Sequence, residues 1–192
     1  MRVLDLGCGD GKDLVPWGVT ASDEVTGVDI DKPSLVLAKA RFGTRKYVQA
    51  KGEDLPFKNE SFDRVISGVA LPYMNIPRAL GEIHRVLVPG GHVTLSLHVA
   101  SVTIWELRHH AIPKPIPTLF RLYVLADGIF FHATGKTVGF PGGRTESFQT
   151  ERGIRIALGR AKFTNCSFQL GTGPIWKTFV VEARKVEIDR RS

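Results

Sequence analysis

The chain has 192 residues and a formal net charge of +7, a length that suffices for one domain with a full core. No apolar stretch runs far enough between charges and prolines to span a bilayer, and Asp5 breaks the N-terminal apolar run with no signal-cleavage site behind it. Cys8 and Cys166, the two cysteines, have neither metal-ligand nor redox spacing, so the expected setting is the reduced cytoplasm and no metal is expected.

In chain order, short β-branched runs bounded by Gly, Pro or charge predict strands near 2–6, 25–29, 46–50, 63–68 and 91–98. Helices are expected near 10–15, 33–42 and 76–87. Pro33 suits a helix first turn, and Pro89-Gly90-Gly91 reads as the stop of the third helix. Alternation at this spacing demands a mostly parallel sheet with helices on both faces, an α/β doubly wound fold. Ser147 to Arg160 reads as a closing helix. Residues 166–170 and 178–183 read as an antiparallel pair at the sheet edge, joined across Gly171 to Pro174. Residues 99–146 interrupt the alternation. They carry two apolar stretches, Val102 to Ala111 and Thr118 to Phe131, split by Pro113-Lys114-Pro115-Ile116-Pro117 and followed by a glycine-rich basic loop, Gly135 to Arg144. The segment leaves the fifth strand at its C-terminal end, where open α/β sheets bind ligands, so a lid-like insertion in a single domain of 1–192 is expected.

The first strand runs into Gly7-Cys8-Gly9-Asp10-Gly11, and Asp29 stands at the tip of the second. Glycines admit a ligand where a Cβ would collide, and a carboxylate accepts both hydroxyl protons of a ribose diol. Together they describe a nucleoside-binding βαβ unit. The dinucleotide fingerprint wants its third glycine where Lys12 stands, so the loop here is G-x-G-x-G, closing at Gly11.

That loop, with Asp5 inside the strand, resembles motif I of the class I S-adenosylmethionine-dependent methyltransferases. Two further blocks resemble their ubiquinone/menaquinone-biosynthesis-like (type 11) branch. One is Lys51-Gly52-Glu53-Asp54-Leu55-Pro56-Phe57 with Ser61-Phe62-Asp63-Arg64-Val65; the other is Glu82-Ile83-His84-Arg85-Val86-Leu87-Val88-Pro89-Gly90-Gly91. The resemblance covers residues 1–98. It implies a Rossmann-like sheet, mostly parallel with an antiparallel C-terminal edge strand, and S-adenosylmethionine as cofactor with S-adenosylhomocysteine as product. It places Asp5, Gly7, Cys8 and Gly9 at the methionyl end, whose carboxylate would meet the amides of a helix after Gly11. It puts Asp29 on the ribose, Ile30 beside the adenine, and Ser67 in the pocket wall through its backbone. Lys51 and Gly52 depart from the family pattern, where an acid and a small residue are common. Lysine has donors only, so adenine recognition shifts to Glu53 or Asp54, with the backbone near Gly52 reading the ring nitrogen.

Methyl transfer needs a base only if the acceptor loses a proton. His98, ending the fifth strand, is the first candidate and Tyr73 the second; for His109, His110 and His132 a packing or surface role is the commoner one. Leu71-Pro72-Tyr73 lacks the double proline of the amino-group methyltransferases acting on nucleic-acid bases and falls too late after Asp63. The implied activity is methyl transfer to a small or lipid-like organic acceptor. An RNA methyltransferase and a non-catalytic cofactor binder are the alternatives. Charge bears on the partner: residues 1–98 hold 12 Lys/Arg and 12 Asp/Glu, whereas residues 99–192 hold 14 against 7. A basic second half suits an anionic lipid surface, an acidic substrate or nucleic acid, or is simply a solvated face. Related methyltransferases carry helical residues ahead of the first strand, and Met1 and Arg2 leave no room for them. The ligand edge is therefore expected to be more open than usual, with the insertion supplying part of the cover.

Overall fold

Seven strands form one sheet in the order β3-β2-β1-β4-β5-β7-β6 in the computed structural model, which describes residues 1–12, 14–111, 114–141, 145–170 and 178–186. The strands are β1 (Arg2–Leu6), β2 (Glu24–Asp29), β3 (Lys46–Gln49), β4 (Phe62–Gly68), β5 (Leu87–His98), β6 (Phe163–Leu170) and β7 (Thr178–Lys185). The first five pair in parallel, and β7 runs antiparallel between β5 and β6. The order reverses between β1 and β4, and this switch point is where open α/β sheets leave a crevice at the strand C-termini. The expected hairpin turn, Gly171 to Pro174, lies outside the described residues.

Side-chain alternation sets the core. Leu4 and Leu6 of β1 share a face with Val28, Val65, Val93, Leu95, Val181 and Ala183, all buried in the main cluster. Helix α2 (Ile76–Val86) lies on that cluster through Ile76, Ala79, Leu80, Ile83 and Val86, apolar positions at helical spacing. It is capped by Asn75, whose side chain accepts from the Arg78 N–H. Helix α5 (Glu151–Arg160) adds Ile154, Ala157 and Leu158 and is capped by Thr150. Helix α1 (Lys32–Arg41), capped by Asp31, joins β2 to β3 and buries only Leu35 and Ala38.

Two expectations are corrected. Among the described residues no α-helix follows the glycine loop: residues 10–12 and 14, expected to be helical, are not, and a 3-10 turn forms at Val15–Trp17. Gly11 at φ +89 and Gly18 at φ +74 bracket too few residues to nucleate a helix, and Pro16 lacks an N–H. Instead Leu14 and Val19 pack with Val3, Val25 and Ile66 in a small second core, and the Trp17 carbonyl accepts from the Arg64 guanidinium at 2.6 Å. Nor does Pro89-Gly90-Gly91 stop α2. The helix ends at Val86, Leu87 already has extended angles, and the three residues fall inside β5. There the pairing with β4 jumps from Phe62↔Leu87 to Arg64↔His92. An extra stretch of chain at a positive-φ Gly90 is a bulge, which glycine accommodates.

The described residues of the 99–146 insertion are mostly helical. Helix α3 (Ala100–Glu106) continues through a wider turn to Ala111, and α4 (Pro115–Thr134) ends at Gly135 in the left-handed conformation. Two glycines let α4 approach its neighbours: a Cβ on Gly153 of α5 would stand 2.7 Å from the Phe131 carbonyl oxygen, and one on Gly128 would stand 2.2 Å from the Phe148 ring. Phe131 is fully buried in the main cluster. The insertion is thus partly built into the core rather than laid over it.

Candidate active site

A cavity of about 340 Å³ opens at the C-terminal ends of β1 and β2, walled by Gly7, Asp29, Ile30, Lys51, Gly52, Glu53, Ala70, Tyr73, Met74 and Thr145, with Leu6, Val28 and Ala50 at its base. That is the low end of the range for small-molecule sites. The glycine loop is fastened to β2: the Gly7 and Cys8 N–H groups both donate to the Val28 carbonyl, at 2.8 and 3.0 Å. The Gly9 N–H donates to Asp29 Oδ2 at 2.8 Å, and the Asp31 N–H donates to Oδ1 at 2.9 Å. Each carboxylate oxygen therefore has one fixed partner and a remaining lone pair, which holds Asp29 rigid and leaves it free to accept from a diol. Gln49 donates to the Ile30 carbonyl at 2.9 Å, placing Ile30 at the rim.

The opposite wall is the 50–60 loop, and the third sequence block holds it in place. Arg85 donates to the carbonyls of Phe57 and Leu55 and to Glu82. Glu82 in turn accepts from the Leu55 N–H at 2.8 Å. Glu53 accepts from the Asn75 N–H at 2.7 Å, tying the wall to the start of α2. Gly7 has no room for a side chain, since its Cβ would fall 2.0 Å from that of Ala70; a Cβ on Gly52 would meet Met74 Sδ at 2.5 Å.

Of the residues expected at the cofactor site, Gly7, Asp29, Ile30, Gly52 and Glu53 line the cavity, and Gly9 orients Asp29. Four others lie off the wall. Asp54 is exposed, its N–H closing a turn onto the Lys51 carbonyl, and Lys51, set aside from the sequence, lines the cavity instead. Cys8 is buried, and burial pushes its thiol up to about 12, which makes it inert. Ser67 is fully buried, its hydroxyl without a partner among the described residues. Asp5 is buried with Oδ1 unpartnered among them, and burial raises it to about 6 against the opposing pull of Lys12 and Arg45. Lys12 reaches across the cleft to donate to the Gly68 carbonyl at 2.7 Å. A fixed cation thus stands at the end of β4, where a carboxylate at the methionyl end would be drawn. Among the described residues the expected helix N-terminus is absent there.

Tyr73 lines the cavity, and His98 packs edge-on against it with ring centroids 6.0 Å apart. Burial, reinforced by Arg121, lowers the His98 pKa, so the imidazole is neutral at pH 7. Burial, with Glu146 and Glu106 nearby, raises that of Tyr73, which stays a phenol. Arg121 of α4 bridges Glu106, at 3.2 Å, and Glu146. This charged cluster beside Tyr73 and His98 carries no sequence motif, because its members are spread over 40 residues, from Glu106 to Glu146, and meet only through the insertion's fold. The insertion also reaches the cavity itself through Thr145, and its return is pinned by Ser147 N–H to Pro72 carbonyl and Gln149 N–H to His98 carbonyl.

The sheet order with its antiparallel β7 is that of the class I methyltransferase Rossmann-like fold, and the glycine loop and Asp29 stand at its switch point. The type 11 family model, described as "Methyltransferase domain", matches residues 4–95, and this stretch carries the methyltransferase domain of the class I S-adenosylmethionine-dependent family. It is 38% identical over 106 residues to a malonyl-[acyl-carrier protein] O-methyltransferase of Pseudescherichia vulneris, a match covering 55% of this chain and 41% of that one. The chain thus spans about two fifths of that curated relative. Among solved structures it is similar to a SAM-dependent methyltransferase of Methanosarcina mazei, with TM-score 0.65, 24% identity, and 97% and 93% of the two chains covered. It is also similar to the Burkholderia thailandensis 1,6-didemethyltoxoflavin-N1-methyltransferase with bound substrate and S-adenosylhomocysteine, with TM-score 0.66, 22% identity, and 97% and 71% covered.

Proposed function

We propose that this protein transfers the methyl group of S-adenosylmethionine to a small or lipid-like acceptor that enters beside Tyr73 and His98. The observation that carries the proposal is the Asp29 carboxylate, held by two backbone amides at the mouth of a cavity whose glycines leave no room for a side chain. These features fit an adenosine: Asp29 takes the ribose hydroxyls, Ile30 covers one side of the base, and Glu53 with the Gly52 backbone meets its edge. Lys12 serves the carboxylate. When bound, the cofactor supplies an electrophilic methyl on a sulfonium. The protein's part is alignment, which can provide most of the acceleration in an in-line transfer. His98, neutral and adjoining Tyr73, takes the proton of an acceptor that must lose one; Tyr73 orients that acceptor through its phenol. Relatives whose names specify O- and N-methylation of small molecules support the acceptor class. The test is transfer of labelled methyl to an acceptor panel of carboxylic acids, phenols, quinols and heteroaromatic amines, alongside RNA. Label in a small acceptor and none in RNA supports the reading; label only in RNA overturns it.

A further inference from the structure

Helix α4 is apolar on its outer face as well as on the inner one that buries Phe120, Val124 and Phe131, unlike a helix lying on a water-soluble protein. Its two charged residues point inward. Arg121 is shielded in the pairs with Glu106 and Glu146, and Asp127 is buried, accepting from the Val138 N–H at 2.7 Å. Its outward face is apolar along its whole length. Ile116, Leu119 and Ile129 are 80%, 61% and 65% exposed, and Leu122, Ala126 and Phe130 are exposed with them. These positions recur at steps of three, four and seven, so they form one stripe along the helix. A 20-residue helix is about 30 Å long, and a continuous apolar stripe of that length is more than scattered surface hydrophobicity. The neighbouring α3 exposes Trp105 and Ile104 as well.

What covers the stripe is indicated by charge. Among the described residues of 100–141, the exposed charged side chains are Arg108, Lys114 and Lys136, all cationic. Lys114 precedes α4 and Lys136 follows its Gly135 cap, so a lysine stands at each end of the stripe. An apolar face bracketed by cations, with a tryptophan nearby, has the chemistry of a helix lying in the interface of an anionic bilayer. No helix among the described residues is long and apolar enough to cross a membrane, and α4 keeps its two charges in the protein. A second copy of the chain fits less well. An antiparallel pairing of two α4 helices would set Lys114 against the other copy's Lys136, and a parallel one would set each lysine against itself.

We propose that the outer face of α4 docks this protein on anionic lipid, with Leu119, Leu122, Ile129 and Phe130 entering the acyl boundary and Lys114 and Lys136 meeting headgroup phosphates. The inner face of the same helix carries Arg121 toward Tyr73 and His98, so docking would bring the acceptor side of the cavity close to the lipid. The proposal is independent of the acceptor's identity, and its failure would leave methyl transfer untouched.

The experiment is co-sedimentation of the whole chain with vesicles of phosphatidylcholine alone and of equal parts phosphatidylcholine and phosphatidylglycerol. Sedimentation velocity without lipid runs in parallel, and S-adenosylhomocysteine titration serves as the check on folding. Expected is binding to the anionic vesicles that weakens with salt, and little to the neutral ones. Leu119→Glu with Leu122→Glu should weaken binding about tenfold or more, and Lys114→Glu with Lys136→Glu should abolish the preference for anionic lipid. All variants should keep wild-type affinity for S-adenosylhomocysteine. Absence of vesicle binding by the wild-type protein, or equal binding by the folded Leu119→Glu/Leu122→Glu variant, would overturn the proposal. So would a wild-type dimer that the same substitutions dissociate, which would assign the stripe to a second copy.

Discussion

Asp29→Ala isolates the interaction on which the cofactor assignment rests. The carboxylate has one lone-pair direction on each oxygen open to the cavity, and a ribose diol can fill both. A hydrogen bond to a charged acceptor is worth about 1.5–3 kcal/mol, and two on one group fall short of additivity, so the loss should be about 2–4 kcal/mol. In affinity that is roughly 30-fold to 1,000-fold. The same substitution strips acceptors from the Gly9 and Asp31 amides, so some loss of stability accompanies it, about 1–3 kcal/mol if water does not replace them. Asp29→Asn separates the two effects: it keeps the shape and one acceptor oxygen but turns a donor toward one of those amides, and should fall between wild type and alanine. Calorimetric titration with S-adenosylhomocysteine reads the affinity, and circular dichroism confirms that each variant is folded. A folded Asp29→Ala protein that binds within about threefold of wild type, less than 1 kcal/mol, would remove Asp29 from the site.

Gly7→Ala should destabilise the protein by about 2–4 kcal/mol, combining the strain of a positive φ with overlap against Ala70, whereas Gly9→Ala meets only open space and should cost about 1–2 kcal/mol; equal urea midpoints would contradict the packing described. Asp127, held at about 6 by burial instead of the usual 3.8, binds its proton more tightly folded than unfolded. Its contribution to stability therefore falls as pH rises from about 4 to 6, and Asp127→Asn should stabilise the protein at pH 7 by up to about 3 kcal/mol with no gain below pH 4. Asp5 acts with the same sign, so a smaller slope should persist in the variant; urea unfolding across pH measures both. His98, with its pKa lowered below the usual 6.5, should give a rate that plateaus above neutrality and falls in acid. His98→Gln should remove that inflection and lower kcat by roughly 10²–10⁴ for an acceptor that loses a proton, and an unchanged pH profile would take His98 out of the chemistry.

The sheet, and the placement of Gly7 and Asp29 at the cavity, were legible because they rest on local signals. Gly7, Gly9 and Gly11 are needed where φ is positive, and Asp29 sits one residue past a β-branched run that can only be a buried strand. That no α-helix follows Gly11 among the described residues is also written locally, in Pro16 and in Gly18 at positive φ. Lys51 rather than Asp54 faces the cavity because a three-residue shift within a turn decides which side chain points inward, and no periodicity reports that. Glu106, Arg121 and Glu146 carry no motif at all. They become a cluster only once α3, α4 and the segment returning to α5 are packed together, and α4, apolar on both faces, gives no amphipathic stripe by which its burial could be read.

The central claim is that the cavity between Gly7, Asp29 and Glu53 holds S-adenosylmethionine. A crystal structure of the protein with S-adenosylhomocysteine tests it most directly. Expected is the ribose diol within about 3 Å of both Asp29 oxygens, the adenine between Ile30 and the Gly52–Glu53 wall, and the amino-acid carboxylate beside Lys12. Density for the ligand anywhere else, or an empty cavity at saturating ligand, would contradict it.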